Sequence, residues 1–129
     1  MNAKIAEKWV AALRSGEYLQ GRGQLAKVVY STKQPDNAVI KYCCLGILCD
    51  LAVKAGLPID VGHTDVTAYS DGITYDEGTV YLPPIVQRWA DIQTMNGRID
   101  NKTSLSKLND TCKTFPEIAD IIEQHVQEL

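Results

Sequence analysis

The chain has 129 residues, 45% hydrophobic and 22% charged, with a formal net charge of −3. That length gives a single domain, able to bury roughly two thirds of the surface its unfolded chain exposes. The acidic balance argues against DNA or RNA as a partner, which usually requires a basic face; a small anion needs only an arginine or two and some backbone N–H groups.

The opening residues, M-N-A-K-I-A-E-K-W, hold no apolar signal core, and no later stretch is long enough to cross a bilayer. A cytoplasmic protein without a membrane partner is therefore expected. Cysteine usage agrees. Cys43, Cys44, Cys49 and Cys112 contain no C-x-x-C pair, and His63 and His125 lack ligand spacing. The expectation is buried reduced thiols, with no metal and no other cofactor.

Residues 2 to 15 read as a first helix, with Ile5, Trp9, Ala12 and Leu13 inward and Gly16 ending it. Next comes Tyr18-Leu19-Gln20-Gly21-Arg22-Gly23, a tight turn with an arginine between two glycines. It lacks the spacing of a P-loop or a dinucleotide fingerprint. Either it is a plain turn with a solvated arginine, or Arg22 and neighbouring N–H groups meet an anion. Ala26 to Tyr30 reads as a strand, Ser31 to Asn37 as a polar loop, and Ala38 to Lys41 as the approach to the next helix.

Tyr42 to Gly56 is the centre of the chain. It carries three cysteines and the longest apolar run, and Gly56 with Pro58 ends it. Cys44, Leu45, Leu48, Leu51, Ala52 and Ala55 share one broad helical face. Gly46 costs such a helix roughly 1 kcal/mol against alanine. Close approach of another backbone is the favoured reason, ahead of a ligand.

Val66 to Tyr69 is strand-like and Ser70-Asp71-Gly72 a turn. Ile73 to Tyr75 and Thr79 to Tyr81 bracket Asp76-Glu77-Gly78 as a hairpin. Their tyrosines read as half-exposed fillers ahead of a stacking platform. Pro83 and Pro84 open a short helix, Ile85 to Ala90, with Trp89 inward. Asn96-Gly97 signals a hairpin joining residues 92–95 to 98–99. Leu105 and Leu108 anchor a helical turn ending at Asn109-Asp110. Thr114-Phe115-Pro116-Glu117 is a capping box before the stripe Ile118, Ile121, Ile122, Val126. The fold expected is a single α+β domain: a central Cys-rich helix packed with the N- and C-terminal helices, plus a small antiparallel sheet from residues 66–81 with 92–99.

Three blocks, Y-C-C-L-G-I-L-C-D-L-A from Tyr42, L-P-P-I-V-Q-R-W-A from Leu82 and L-S-K-L-N-D from Leu105, follow the Gly-Arg-Gly turn. Together they resemble a widespread family of small bacteriophage-encoded proteins with CCLGxLCDL, LPPxVQxWA and LND blocks, identified with the anti-CBASS "sponges" that sequester nucleotide second messengers of bacterial antiphage signalling. The resemblance implies a non-enzymatic binder of a cyclic dinucleotide such as cGAMP, or a related cyclic nucleotide, in the host bacterial cytoplasm. Two features depart from the pattern: a longer insert from about Lys27 to Lys41, and Cys112 where glycine is common.

Within these blocks Gln20, Arg22, Tyr42, Asn109 and Asp110 lie outside the apolar stripes. Arg22 would meet phosphate, Tyr42 would stack, and Asn109 with Gln20 would read a base edge. Asn109-Asp110 also fits a plain helix-end turn. On this reading Arg22→Ala weakens binding at least tenfold, about 1.4 kcal/mol, with the fold unchanged. A dimer or larger ring would follow if two copies shared a two-fold symmetric ligand. The rival readings are a protein that docks onto a host protein and a nucleotide-processing enzyme. For the enzyme, Asp50, Asp65, Asp71, Asp76, Glu77 and Asp110 show no acid/base spacing, and a Cys43–His63 pair would draw its thiol from an apolar run.

Overall fold

The computed structural model describes residues 1–30, 37–67 and 70–129, and for 65–67 the backbone alone. Ten elements follow in chain order: α1 (Ala3–Arg14), β1 (Leu19–Gln20), β2 (Ala26–Val29), β3 (Val39–Tyr42), α2 (Cys44–Lys54), β4 (Val61–Thr67), β5 (Ser70–Tyr75), α3 (Pro84–Ala90), α4 (Leu105–Thr111) and α5 (Phe115–Gln124). The α+β class and the packing of α2 with the terminal helices are as the sequence predicts.

Local chemistry sets the helix ends. The Asn2 carboxamide oxygen accepts from Ile5 N–H at 3.1 Å to open α1. Ile5, Ala6, Trp9, Val10 and Leu13 are its buried stripe. The capping box at Thr114 and Glu117 starts α5 with both reciprocal bonds formed. α2 is capped by a thiol: Cys43 Sγ accepts from Gly46 N–H at 3.4 Å. Its first two turns, Cys44 to Cys49, are buried on every side, while Ala55 is exposed. Trp9 is fully buried, and its indole N–H donates to Cys44 O at 2.9 Å, tying α1 to the start of α2.

Gly46 is explained by packing. A Cβ there would lie 1.7 Å from Leu25 O, the carbonyl that accepts from Cys43 N–H at 3.0 Å. The strand entering β2 thus lies directly on the α2 backbone, a contact that only glycine permits.

The sheet differs from the expectation. It is five-stranded in the order β1-β3-β2-β5-β4, and mixed, because β1 runs parallel to β3. The expected approach to the central helix is itself a strand: Val39–Tyr42 form β3. Ser70 to Gly72 lie within β5, which pairs with β2 and β4. The pair Asp76-Glu77 does turn the chain, with φ of 49° and 67°, closed by reciprocal bonds between Tyr75 and Gly78. No strand continues over 79–81. Residues 92–99 are outside the sheet: Gly97 turns at φ 66° against Leu105, and Arg98 bridges to Ser104. Their polar flanks offer no apolar face to hold a hairpin. The expected loop over 31–36, and Ala68 and Tyr69 of the expected strand, lie outside the described residues.

Ala26, Ile73 and Tyr75 share one sheet face and join the core with α2. Cys43, Cys44 and Cys49 are buried as expected, whereas Cys112, at the end of α4, is exposed. Among the described residues no helix is long and apolar enough to cross a membrane.

Candidate functional site

The Gly-Arg-Gly turn and the Asn-Asp pair meet, as a binding corner would require. They are bonded directly to each other. Asn109 Nδ2 donates to Gly21 O at 2.9 Å and to Asp110 Oδ1 at 3.3 Å. Its Oδ1 accepts from Cys44 N–H at 3.1 Å and from Gln20 Nε2 at 3.0 Å. Gln20 also donates to Lys113 O at 2.8 Å, and Asp110 Oδ1 accepts from Gly23 N–H at 3.0 Å.

Asn109 is 0% exposed and sits inside α4, not in a turn beyond it. Both its donors and both its acceptor sites are engaged. The corner is therefore a latch joining β1, α2 and α4. Asn109 and Gln20 spend on the fold the groups that edge-reading would need. Arg22 keeps more: its Nε donates to Asn109 O at 3.2 Å, which orients an otherwise exposed guanidinium.

Tyr42 pairs with Gln20 across β1–β3 and is half-buried. Its ring meets Tyr18 edge-on at a centroid distance of 5.0 Å. Burial raises its hydroxyl pKa, helped by the nearby Asp50 carboxylate. Behind it Tyr18, Asp50 and Lys54 bond among themselves, with Lys54 Nζ 3.0 Å from Asp50 and 3.1 Å from the Tyr18 hydroxyl.

Unspent polar groups gather elsewhere. A groove of about 510 Å³ is lined by Tyr81, Gln87, Gln93, Thr94, Met95, Asn96 and Arg98. Tyr81 and Met95 are 47% and 53% exposed, the most open aromatic and the most open large aliphatic side chain among the described residues. No described hydrogen bond engages the carboxamides of Gln87, Gln93 or Asn96.

The frame beneath is fixed. Leu82 N–H donates to Met95 O at 2.9 Å, Ile92 N–H to Gln87 O at 3.0 Å and Gln93 N–H to Leu129 O at 2.8 Å. Arg98 is the only charged lining residue. Its N–H donates to Thr94 Oγ1, and its guanidinium is steadied by Asp100 O at 3.1 Å and Asn101 Oδ1 at 2.9 Å. An aromatic face, three amides able to both donate and accept, and one oriented cation suit a planar, polar, anionic ligand.

Sequence reading missed this groove. Tyr81 reads locally as strand filler and Asn96 as a hairpin turn; Gln87 within the Leu82–Ala90 block was the available signal. The proposed nucleophile fares poorly, since burial pushes the Cys43 thiol up to about 11. His63, its suggested partner, stands exposed on the edge strand β4. Among the described residues no cluster of His, Cys, Asp or Glu could hold a metal ion.

Fold and groove together define a single-domain α+β protein with a shallow, amide-rich surface recess. By family the chain belongs to DUF8296, a domain of unknown function, whose model matches residues 1–126. Neither curated proteins nor solved structures gave a match.

Proposed function

We propose that this protein captures a small nucleotide and releases it unchanged, with the groove at Tyr81 as its seat. The supporting observation is the set of uncommitted carboxamides, Gln87, Gln93 and Asn96, around an exposed tyrosine and a steadied arginine. Tyr81 stacks a base, the amides read its edge, and Arg98 meets phosphate. Base–aromatic stacking alone contributes about 1–3 kcal/mol. The resemblance to phage sponge proteins supports a cyclic nucleotide of antiphage signalling as the ligand and an infected bacterial cytoplasm as the setting.

Calorimetric titration with cyclic di- and trinucleotides and ADP-ribose derivatives tests this, followed by heating and chromatography of the released ligand. Binding of one class, intact recovery, and at least a tenfold loss in Tyr81→Ala (about 1.4 kcal/mol) are expected. Indifference to every nucleotide refutes the function. Altered ligand on recovery makes the protein an enzyme. Binding that survives Tyr81→Ala and Arg98→Ala but fails in Arg22→Ala moves the seat back to the latch corner. A stoichiometry of one ligand per two chains would reveal a shared site.

A further inference from the structure

We propose that the groove between α1 and α5 is a docking site for a cationic amphipathic helix of a partner protein. It is a recess of about 730 Å³, separate from the groove at Tyr81. α1 has two working faces. The first, through Ile5, Trp9 and Leu13, belongs to the core. The second is the row Ala3, Glu7, Ala11 and Arg14, spaced four, four and three residues apart, which lines the recess from one side. Ala3 and Ala11 are exposed and carry no bulk beyond Cβ, so a second helix can approach closely on either side of Glu7. Val10 and Val126 supply the apolar floor, and the opposite wall carries Glu123 and Glu128.

Charge selects the occupant. The lining holds three glutamates and one arginine. That arginine is already bonded to Asp120 at 2.6 Å and to Glu123. The Met1 amino group also sits on Val126 O at 3.2 Å. Against these two cations stand Glu7, Asp120, Glu123 and Glu128, so the recess is apolar along its floor and still negative in balance at its rim, which favours lysine or arginine over a nucleotide. The α1 wall is helical and the opposite wall is the end of α5 with the turn at residues 126–128, so neither presents a strand edge whose ladder an extended segment could join. Side-chain packing by a helix remains, and the twelve residues of α1 give it about 18 Å of contact, some three turns. A second copy of this chain, itself at −3, is disfavoured by like charge.

The test uses the full chain labelled with ¹⁵N and followed by amide chemical shifts. The probes are an amphipathic leucine/lysine peptide of ~18 residues (five helical turns), its leucine/glutamate counterpart, and a scrambled leucine/lysine sequence. The leucine/lysine helix should bind, with shifts confined to residues 3–14 and 123–128, and the other two should bind at least tenfold more weakly. Ala11→Arg and Glu7→Lys should each reduce that binding at least tenfold with the circular dichroism unchanged; Glu7→Gln replaces either if it fails to fold. Equal binding of the scrambled or acidic peptide, shifts centred elsewhere, or no binding at millimolar peptide overturns the proposal. So does concentration-dependent dimerisation that broadens the same resonances, which would make the occupant a second copy.

Discussion

Replacing Asn109 by alanine separates a structural latch from a ligand-reading amide. The substitution leaves Cys44 N–H and Gly21 C=O buried without their partner, while Gln20 retains Lys113 O. A buried donor or acceptor left unsatisfied costs about 1–3 kcal/mol. Two of them give on the order of 4 kcal/mol, a large share of the ~5–15 kcal/mol that holds a domain folded. With a urea dependence of about 2 kcal/mol per molar, the unfolding midpoint should fall by roughly 2 M. Arg22→Ala, at the exposed rim of the same corner, loses one bond and should cost about 1 kcal/mol. Equilibrium urea unfolding followed by tryptophan fluorescence measures both. If Asn109→Ala unfolds within 1 kcal/mol of the parent (less than the low end for two unsatisfied groups) yet loses its nucleotide, the latch argument is wrong and Asn109 belongs to a binding site.

Gly46→Ala gains roughly 1 kcal/mol of helix propensity but drives a methyl into the Leu25 carbonyl, so a net loss of about 3 kcal/mol is expected by urea unfolding. A variant as stable as the parent would show that the contact relaxes freely. Alkaline pH should destabilise the fold. Burial raises the folded-state pKa of Cys43, Cys44 and Cys49, so their contribution is complete below the ordinary thiol value near 9 and is lost as pH rises through the folded value, about 11 for Cys43. For Cys43 alone this amounts to ~3 kcal/mol. Cys43→Ser keeps an acceptor at the α2 cap and should make the decline between pH 9 and 11 shallower, leaving the part due to Cys44 and Cys49. A thiol reagent should label Cys112 at once and the other three cysteines only on unfolding; rapid modification of more than one thiol would contradict the burial.

The helices were legible where their signals are local. The Thr114–Glu117 box, the Ile118–Ile122 stripe and the Trp9 face need only near neighbours in sequence to take shape. Gly46 could be read as a packing glycine, though not which backbone it meets. The sheet was less legible, because β3 becomes a strand by pairing with β1 and β2, and Val39–Tyr42 by itself resembles a helix approach. Asn96-Gly97 gave a correct turn and a false hairpin: its flanks are too polar to pair, and Arg98 finds Ser104 instead. The corner formed by Gln20, Arg22, Asn109 and Asp110 was foreseen as a meeting point. Sequence could not show that its amides would bond to each other. The groove escaped notice because Tyr81, Gln87 and Met95 lie on separate segments joined by the bond from Leu82 N–H to Met95 O.

The Arg14 contacts to Asp120 and Glu123, and the Met1 amino group resting on Val126 O, bridge residues more than a hundred positions apart. During synthesis the first helix leaves the ribosome long before its partner exists. Trp9 can meet α2 early, through Cys44 O, but the side of α1 that packs on α5 must wait uncovered. The layer formed by α1 and α5 therefore closes only when residues 115–126 have been made, and a chain cut short near residue 100 would leave that side of α1 open to proteases and chaperones.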